Sequence, residues 1–162
     1  MIKLIDDLNK INLSEFDCGD SLLNEYLSNY AKKNSLTNVS KTYILEENNC
    51  IIGYVTLAAA SLLFSELPVG YQNLPKYPIP AIRIARLAVD TNYQGKHYGE
   101  ELLSYALKQS LIISIRIGVK FVIVDSKENA KSFYQKYGFI PLPDSNNTLV
   151  MPIELITKAI VN

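Results

Sequence analysis

Apolar residues recur at three- and four-residue spacing through Leu22, Leu23, Tyr26, Leu27, Tyr30 and Ala31. This stripe predicts an amphipathic helix over roughly residues 20–34, with Asp17 and Asp20 available to cap its start. Only a short apolar stretch, Ile2 and Leu4, precedes it. Two β-prone runs follow, Thr42–Leu45 and Ile51–Leu57, and the polar cluster Glu46-Glu47-Asn48-Asn49 between them predicts a β-hairpin. Pro68, Gly70, Pro75, Pro78 and Pro80 break any regular element between residues 64 and 80, leaving an irregular loop long enough to wall a substrate site.

Beyond the loop, Ile82–Val89 reads as a strand, Leu102, Leu103, Ala106 and Leu107 as one face of a helix, and Phe121–Val124 as a second strand. A crossover of helical length between two strands implies a parallel or near-parallel pair, and with the hairpin this makes the sheet mixed. A short helix near Glu128–Tyr137 ended by Gly138, a last strand at Leu149–Met151 and a helical tail complete the pattern. No internal repeat or low-complexity tract interrupts it.

A chain of 162 residues, close to half of them apolar, can bury one sizeable core, and a single domain over 1–162 is expected. Sixteen basic side chains balance sixteen acidic ones, which argues against a strong polyanion binder. The distribution is uneven: Lys and Arg stand 6 against 9 acidic residues over 1–80, 9 against 5 over 81–140, and 1 against 2 thereafter. An anionic ligand therefore belongs in the middle segment, although lysines taken singly are more often part of a solvated face. Cys18 and Cys50 have no partner at metal-ligand spacing, so no metal site and no disulfide framework is expected, and both are read as reduced structural thiols. With Asp6 and Asp7 near the start and no run of 18 apolar residues, the chain reads as a soluble cytoplasmic protein without a signal peptide or membrane span.

The candidate chemistry lies in Thr91-Asn92-Tyr93-Gln94-Gly95-Lys96-His97-Tyr98-Gly99, between the predicted strand and helix. A strand-to-helix turn aims backbone N–H groups at one spot. Lys96 and the positive end of the helix make that spot suitable for a pyrophosphate. Tight turns need glycines for geometry alone, so the turn by itself leaves ligand binding open. The three-glycine Rossmann fingerprint and the Walker A pattern are both absent.

Gln94 and Gly99 match the ends of the acetyl-CoA motif of the GNAT acetyltransferases: Gln or Arg, two residues, Gly, one residue, then Gly or Ala. Ala85-Arg86-Leu87-Ala88-Val89-Asp90 is similar to the strand before that motif, and Ser132-Phe133-Tyr134-Gln135-Lys136-Tyr137-Gly138-Phe139 to the family's C-terminal aromatic stretch. The chain thus resembles a GNAT N-acetyltransferase. The resemblance implies an α/β (α+β) fold with a mixed central sheet of six or seven strands flanked by helices.

It also implies a set of roles. The backbone of Leu87, Ala88 and Val89 follows the pantetheine arm of acetyl-CoA, and one amide there polarises the thioester carbonyl. Gln94, Gly95, Lys96, His97, Tyr98, Gly99 and Glu100 cradle the pyrophosphate, and Asn129 and Phe133 contact the cofactor. Tyr134 protonates the departing sulfur. An ordinary core tyrosine is the alternative for Tyr134, and a helix cap near Asp125 for Asn129. His97 replaces the motif's middle glycine but is among the residues that tolerate positive φ. As the only histidine it is also weighed as a base, against its place in the turn.

No general base is apparent, which favours an α-amino acceptor over a lysine, because far more of an α-amino group is neutral at physiological pH. Phe16-Asp17-Cys18-Gly19, Leu23-Asn24-Glu25-Tyr26-Leu27 and Gly53-Tyr54-Val55-Thr56-Leu57 extend the resemblance to the GNAT toxins of toxin-antitoxin pairs. That resemblance implies acetylation of the α-amino group of aminoacyl-tRNA and a ribbon-helix-helix antitoxin as partner; the absence of a long apolar run argues against a membrane partner, and a homodimer stays open. Arg83, Arg86, Lys96, Lys127, Lys131 and Lys136 are candidates for a basic patch serving tRNA or coenzyme A. Two rival readings stay open: an acetyltransferase of a small amine or protein N-terminus, and a non-catalytic domain of the same fold that only binds.

Overall fold

The computed structural model describes residues 1–161, with side chains to Ala159. Its strands are β1 (Ile2–Leu4), β2 (Lys41–Glu47), β3 (Cys50–Leu62), β4 (Ile79–Val89), β5 (Phe121–Asp125), β6 (Ile140–Pro141) and β7 (Thr148–Pro152). They form a seven-stranded mixed sheet in the order β1-β2-β3-β4-β5-β7-β6, as the resemblance implied. The helices are α1 (Ser21–Glu25), α2 (Ala31–Leu36), α3 (Tyr98–Ser114), α4 (Lys131–Lys136) and α5 (Ile153–Val161). No helix among the described residues is long and apolar enough to cross a membrane.

The packing divides into two compact units, Met1–Ala58 with Ala85–Ala106, and Ala59–Ile84 with the chain from Leu107 onward. In the first, β1 lies antiparallel to β2 through Lys3↔Ile44, and β2 to β3 through Ile44↔Tyr54. The hairpin closes on Asn48 and Asn49, at φ +52° and +62°. These are the two left-handed positions of a two-residue turn, which Asn fills at low steric cost. Ile5, Phe16, Tyr26, Leu27, Ile44, Tyr54 and Ala88 form the core here.

In the second unit β4 and β5 run parallel, from Ala81↔Phe121 to Ile84↔Val124. β5 pairs antiparallel with β7. Leu62, Leu67, Ile79, Phe121, Ile123, Leu142 and Val150 make its core.

Three expectations change. The helix over residues 20–34 is not one regular stripe: α1 and α2 are joined through a π-turn at Tyr26–Tyr30, closed by the Ala31 N–H donating to the Tyr26 carbonyl. The extra residue rotates the faces out of line. Tyr26 and Leu27 are buried, but Leu22 is 74% and Tyr30 50% exposed. Second, β3 continues to Leu62 rather than stopping at Leu57. Third, β4 begins at Ile79, with Pro80 inside it. Pro80 sits at the strand's start, where a missing N–H is tolerated, and its carbonyl accepts from Lys120 N–H at 2.9 Å. β1 and β6 are too short for periodicity to reveal.

Gly53 sits at a close approach of backbone and side chain in the first unit. A Cβ there would meet the Ala88 carbonyl oxygen at 2.6 Å and Leu102 Cδ1 at 2.8 Å. Backbone cannot yield as a side chain can, so Gly53→Ala is expected to destabilise the fold by about 1–3 kcal/mol. Chemical denaturation read by circular dichroism measures this. An unchanged midpoint would mean that β4 relaxes freely at Ala88.

Candidate active site

The β4–β5 pairing ends at Ile84, while β4 itself continues to Val89. Leu87, Ala88 and Val89 thus lie past the stretch paired with β5. Ala88 is buried in the core, and its neighbours are half-buried. The chain then turns through residues 91–97 into α3.

Asp90 anchors this turn. Its Oδ1 accepts from the Asn92 backbone N–H at 2.9 Å, and the Asp90 carbonyl accepts from Tyr93 N–H at 2.9 Å. Gln94 is exposed, but its amide is engaged: Nε2 donates to the Val89 carbonyl at 2.9 Å and the Cys18 carbonyl at 3.1 Å. Lys96 Nζ donates to the Asn92 carbonyl at 3.0 Å and stands 5.5 Å from the Tyr93 ring centroid. Tyr98 packs edge-on against Tyr93.

Gly95 at φ +74° and His97 at φ +66° give the turn its curl. The position where a histidine replaces the motif glycine thus keeps a left-handed backbone. The His97 side chain is 79% exposed, with Nδ1 2.9 Å from Glu100 Oε2. A non-glycine residue in this region costs about 1–2 kcal/mol, and a β-branched one more. His97→Gly is therefore expected to hold or raise stability and to keep turnover within about twofold, whereas His97→Val loses about 1–2 kcal/mol in thermal unfolding. A drop in turnover of more than about a hundredfold in His97→Gly would instead make the ring a base.

The turn fits a diphosphate. A Cβ on Gly95 would meet nothing within 4 Å, so that side is open. Lys96 supplies positive charge, and the start of α3 directs backbone N–H groups outward with the favourable end of the helix dipole. Gly99 and Glu100 lie in the first turn of α3.

In the second unit, Asn129, Phe133 and Tyr134 share one short helical stretch, a 3₁₀ turn at Glu128–Ala130 leading into α4. Neither helix start carries a side-chain cap, so Asn129, which is exposed, is not the cap considered as its alternative role. α4 ends in a Schellman motif: Phe139 N–H donates to the Tyr134 carbonyl at 3.3 Å and Gly138 N–H to the Gln135 carbonyl at 3.0 Å, with Gly138 at φ +98°. Tyr134 is 6% exposed and packs edge-on against Phe133 and Phe139, with centroids at 5.1 and 5.6 Å. Burial pushes its phenol up to about 12, so it stays protonated throughout the neutral range.

The candidate basic patch is partly spent on internal contacts. Arg83 donates to the Asp125 carboxylate, and the Arg86 guanidinium carbon lies 3.5 Å from the centroid of the Tyr26 ring. Lys96, Lys127 and Lys136 are exposed. A cavity of about 260 Å³ in the second unit is lined by Glu66, Arg83, Asp125, Asp144, Ser145 and Thr148 among others. Three carboxylates against one guanidinium suit a cationic amine.

Sequence reasoning passed over Asp90 and Gly53 as working residues. The Asp-x-Asn spacing of an Asx-turn and a glycine inside a β-prone run were the available signals.

A profile of the acetyltransferase (GNAT) domain matches residues 38–141. A tRNA-acetylating toxin of Mycobacterium tuberculosis is 26% identical over 129 residues, covering 79% of this chain and 78% of that one. Among solved structures, AtaT complexed with acetyl-methionyl-tRNAfMet superposes with a TM-score of 0.90 at 28% identity, covering 98% of this chain and 97% of that one. A tyrosine-to-phenylalanine mutant of AtaT, bound to the C-terminus of the antitoxin AtaR and acetyl-CoA, reaches 0.84 at 27% identity, covering 100% and 98%. The chain belongs to the GNAT acetyltransferases: it is an acyltransferase whose acetyl donor is acetyl-CoA.

Proposed function

We propose that this chain acetylates the α-amino group of aminoacyl-tRNA as the toxin of a toxin-antitoxin pair. The carrying observation is the near full-length likeness to AtaT in its complex with acetyl-methionyl-tRNAfMet. Its partners on this reading are charged tRNA and a ribbon-helix-helix antitoxin, and it acts in the cytoplasm as one GNAT domain over 1–162.

Acetyl-CoA supplies the activated acetyl group. In our reading Gln94–Glu100 bind its pyrophosphate, Leu87–Val89 align its arm through backbone groups, and Asn129 and Phe133 contact it. Tyr134 donates a proton toward the departing sulfur. The amine must arrive neutral, since no residue of the site is assigned as its base.

The test is direct: purified protein, labelled acetyl-CoA and charged tRNA. Label is expected on the aminoacyl group. Label on free amines or peptides, with none on tRNA, would overturn this reading. The acid-lined cavity favours, as a second reading, a small amine that is attracted as a cation and reacts through its neutral fraction, which the same assay detects when such amines replace the tRNA.

A further inference from the structure

Asp90 is only 6% exposed, yet it carries a carboxylate that accepts from three N–H groups. Oδ1 accepts from the Asn92 backbone at 2.9 Å and from Asn92 Nδ2 at 3.0 Å. Oδ2 accepts from the Asp17 backbone N–H at 3.0 Å, across 73 residues of sequence. The Asp90 N–H donates to the Ile52 carbonyl at 2.8 Å. One residue thereby ties together β3, the turn and the N-terminal segment.

The segment is laced to the turn at two further points. Thr91 N–H donates to the Asp17 carbonyl at 2.8 Å, and Gln94 Nε2 to the Cys18 carbonyl at 3.1 Å. The segment is in turn stiffened locally. Asp17 Oδ1 accepts from Gly19 N–H at 2.9 Å and Asn24 Nδ2 at 2.8 Å, and Asn24 Oδ1 accepts from Cys18 N–H at 2.9 Å. Asp20 then caps α1 through Leu22 and Leu23 N–H.

We propose that Asp90 is a positioning residue for the cofactor turn, and that through it coenzyme A binding is linked to order in residues 17–24. This rests on reading the turn as the pyrophosphate site. An anion is required at Asp90 because both oxygens must accept. An asparagine offers one acceptor oxygen and sets its NH₂ against a backbone N–H, which leaves a buried donor unsatisfied. The turn then loses either its own Asx closure or its tether to Asp17. A ligand held by backbone N–H groups depends on their geometry far more than on any single side chain.

The probe is coenzyme A itself, by titration calorimetry, with amide hydrogen exchange over residues 16–24 and steady-state kinetics. In the wild type, coenzyme A is expected to slow exchange in that segment. Asp90→Asn is expected to weaken coenzyme A binding and raise KM for acetyl-CoA about tenfold, with kcat within about twofold, and to abolish the added protection. A merely structural role would lower the melting temperature and the binding-competent fraction, leaving Kd and KM unchanged, and that result overturns the proposal. If Asp90→Asn does not fold, Asn92→Ala removes one contact to the carboxylate. It is expected to weaken coenzyme A binding about threefold, and unaltered binding overturns the proposal. Failure of the wild type to bind coenzyme A would sink the reading of the turn, whereas equal binding by wild type and Asp90→Asn sinks only the role of Asp90.

Discussion

Tyr134→Phe is expected to lower kcat by about 10²–10⁴-fold while moving KM for acetyl-CoA by less than about threefold. The substitution removes one hydroxyl and leaves the ring, so the edge-on contacts with Phe133 and Phe139 persist. On the proposed reading of Tyr134 as proton donor, the loss falls on the step in which the sulfur departs. With its phenol pushed up to about 12 by burial, Tyr134 is a dependable donor but a poor base. Steady-state kinetics on the purified variant, with its melting temperature as control, measures this. Unchanged turnover would return Tyr134 to the status of a core tyrosine.

The same burial has a stability signature. The folded-state value lies above the ordinary 10, so the stabilisation is intact below pH 10 and is lost as pH rises toward 12. Two units correspond to about 2–3 kcal/mol. Tyr54 is raised by burial in the same direction. Alkaline denaturation of Tyr134→Phe should therefore be shallower than that of the wild type.

The second large effect concerns the acceptor. With aminoacyl-tRNA, kcat/KM is expected to rise about tenfold per pH unit between roughly pH 6 and 7.5 and to level off above about 8, because an α-amino group titrates near 7.7–8.0. At pH 7 about one α-amino group in ten is neutral, against fewer than about one lysine in a thousand. A site without an assigned base thus discriminates between them by a few hundredfold before any contact is made. Since Tyr134 remains protonated across this range, the plateau should persist until the fold itself yields. A pH–rate profile still climbing past pH 9 would point to a lysine-like acceptor or to an enzyme base not identified among these residues.

Much of this architecture was legible along the chain. The hairpin was readable because Asn48 and Asn49 supply the left-handed conformations its turn needs. The parallel β4–β5 pair followed from a helix-length crossover, and the end of α4 from Gly138. Leu102, Leu103, Ala106 and Leu107 are all buried, as their spacing required. The candidate cofactor turn and Tyr134 stood out only through the resemblance of two short motifs to those of the GNAT family. These are local decisions, made by φ preference, spacing and side-chain chemistry over a few residues.

What the tertiary structure decided depends on partners far apart in sequence. The π-turn at Tyr26–Tyr30 realigns a helix whose stripe looked regular, putting Tyr26 into the core and leaving Leu22 and Tyr30 outside. Gln94 stands in the motif by sequence, and only the fold shows that its amide also braces the turn against the Val89 and Cys18 carbonyls. His97 broke the glycine pattern, and only the backbone shows that it adopts the left-handed conformation the pattern serves. Asp90 read only as the last residue of a motif strand, and its hydrogen-bonding role depends on Asp17, 73 residues away. The motif chose where a diphosphate could sit, while the rigidity of that place comes from hydrogen bonds whose donors the local sequence does not contain.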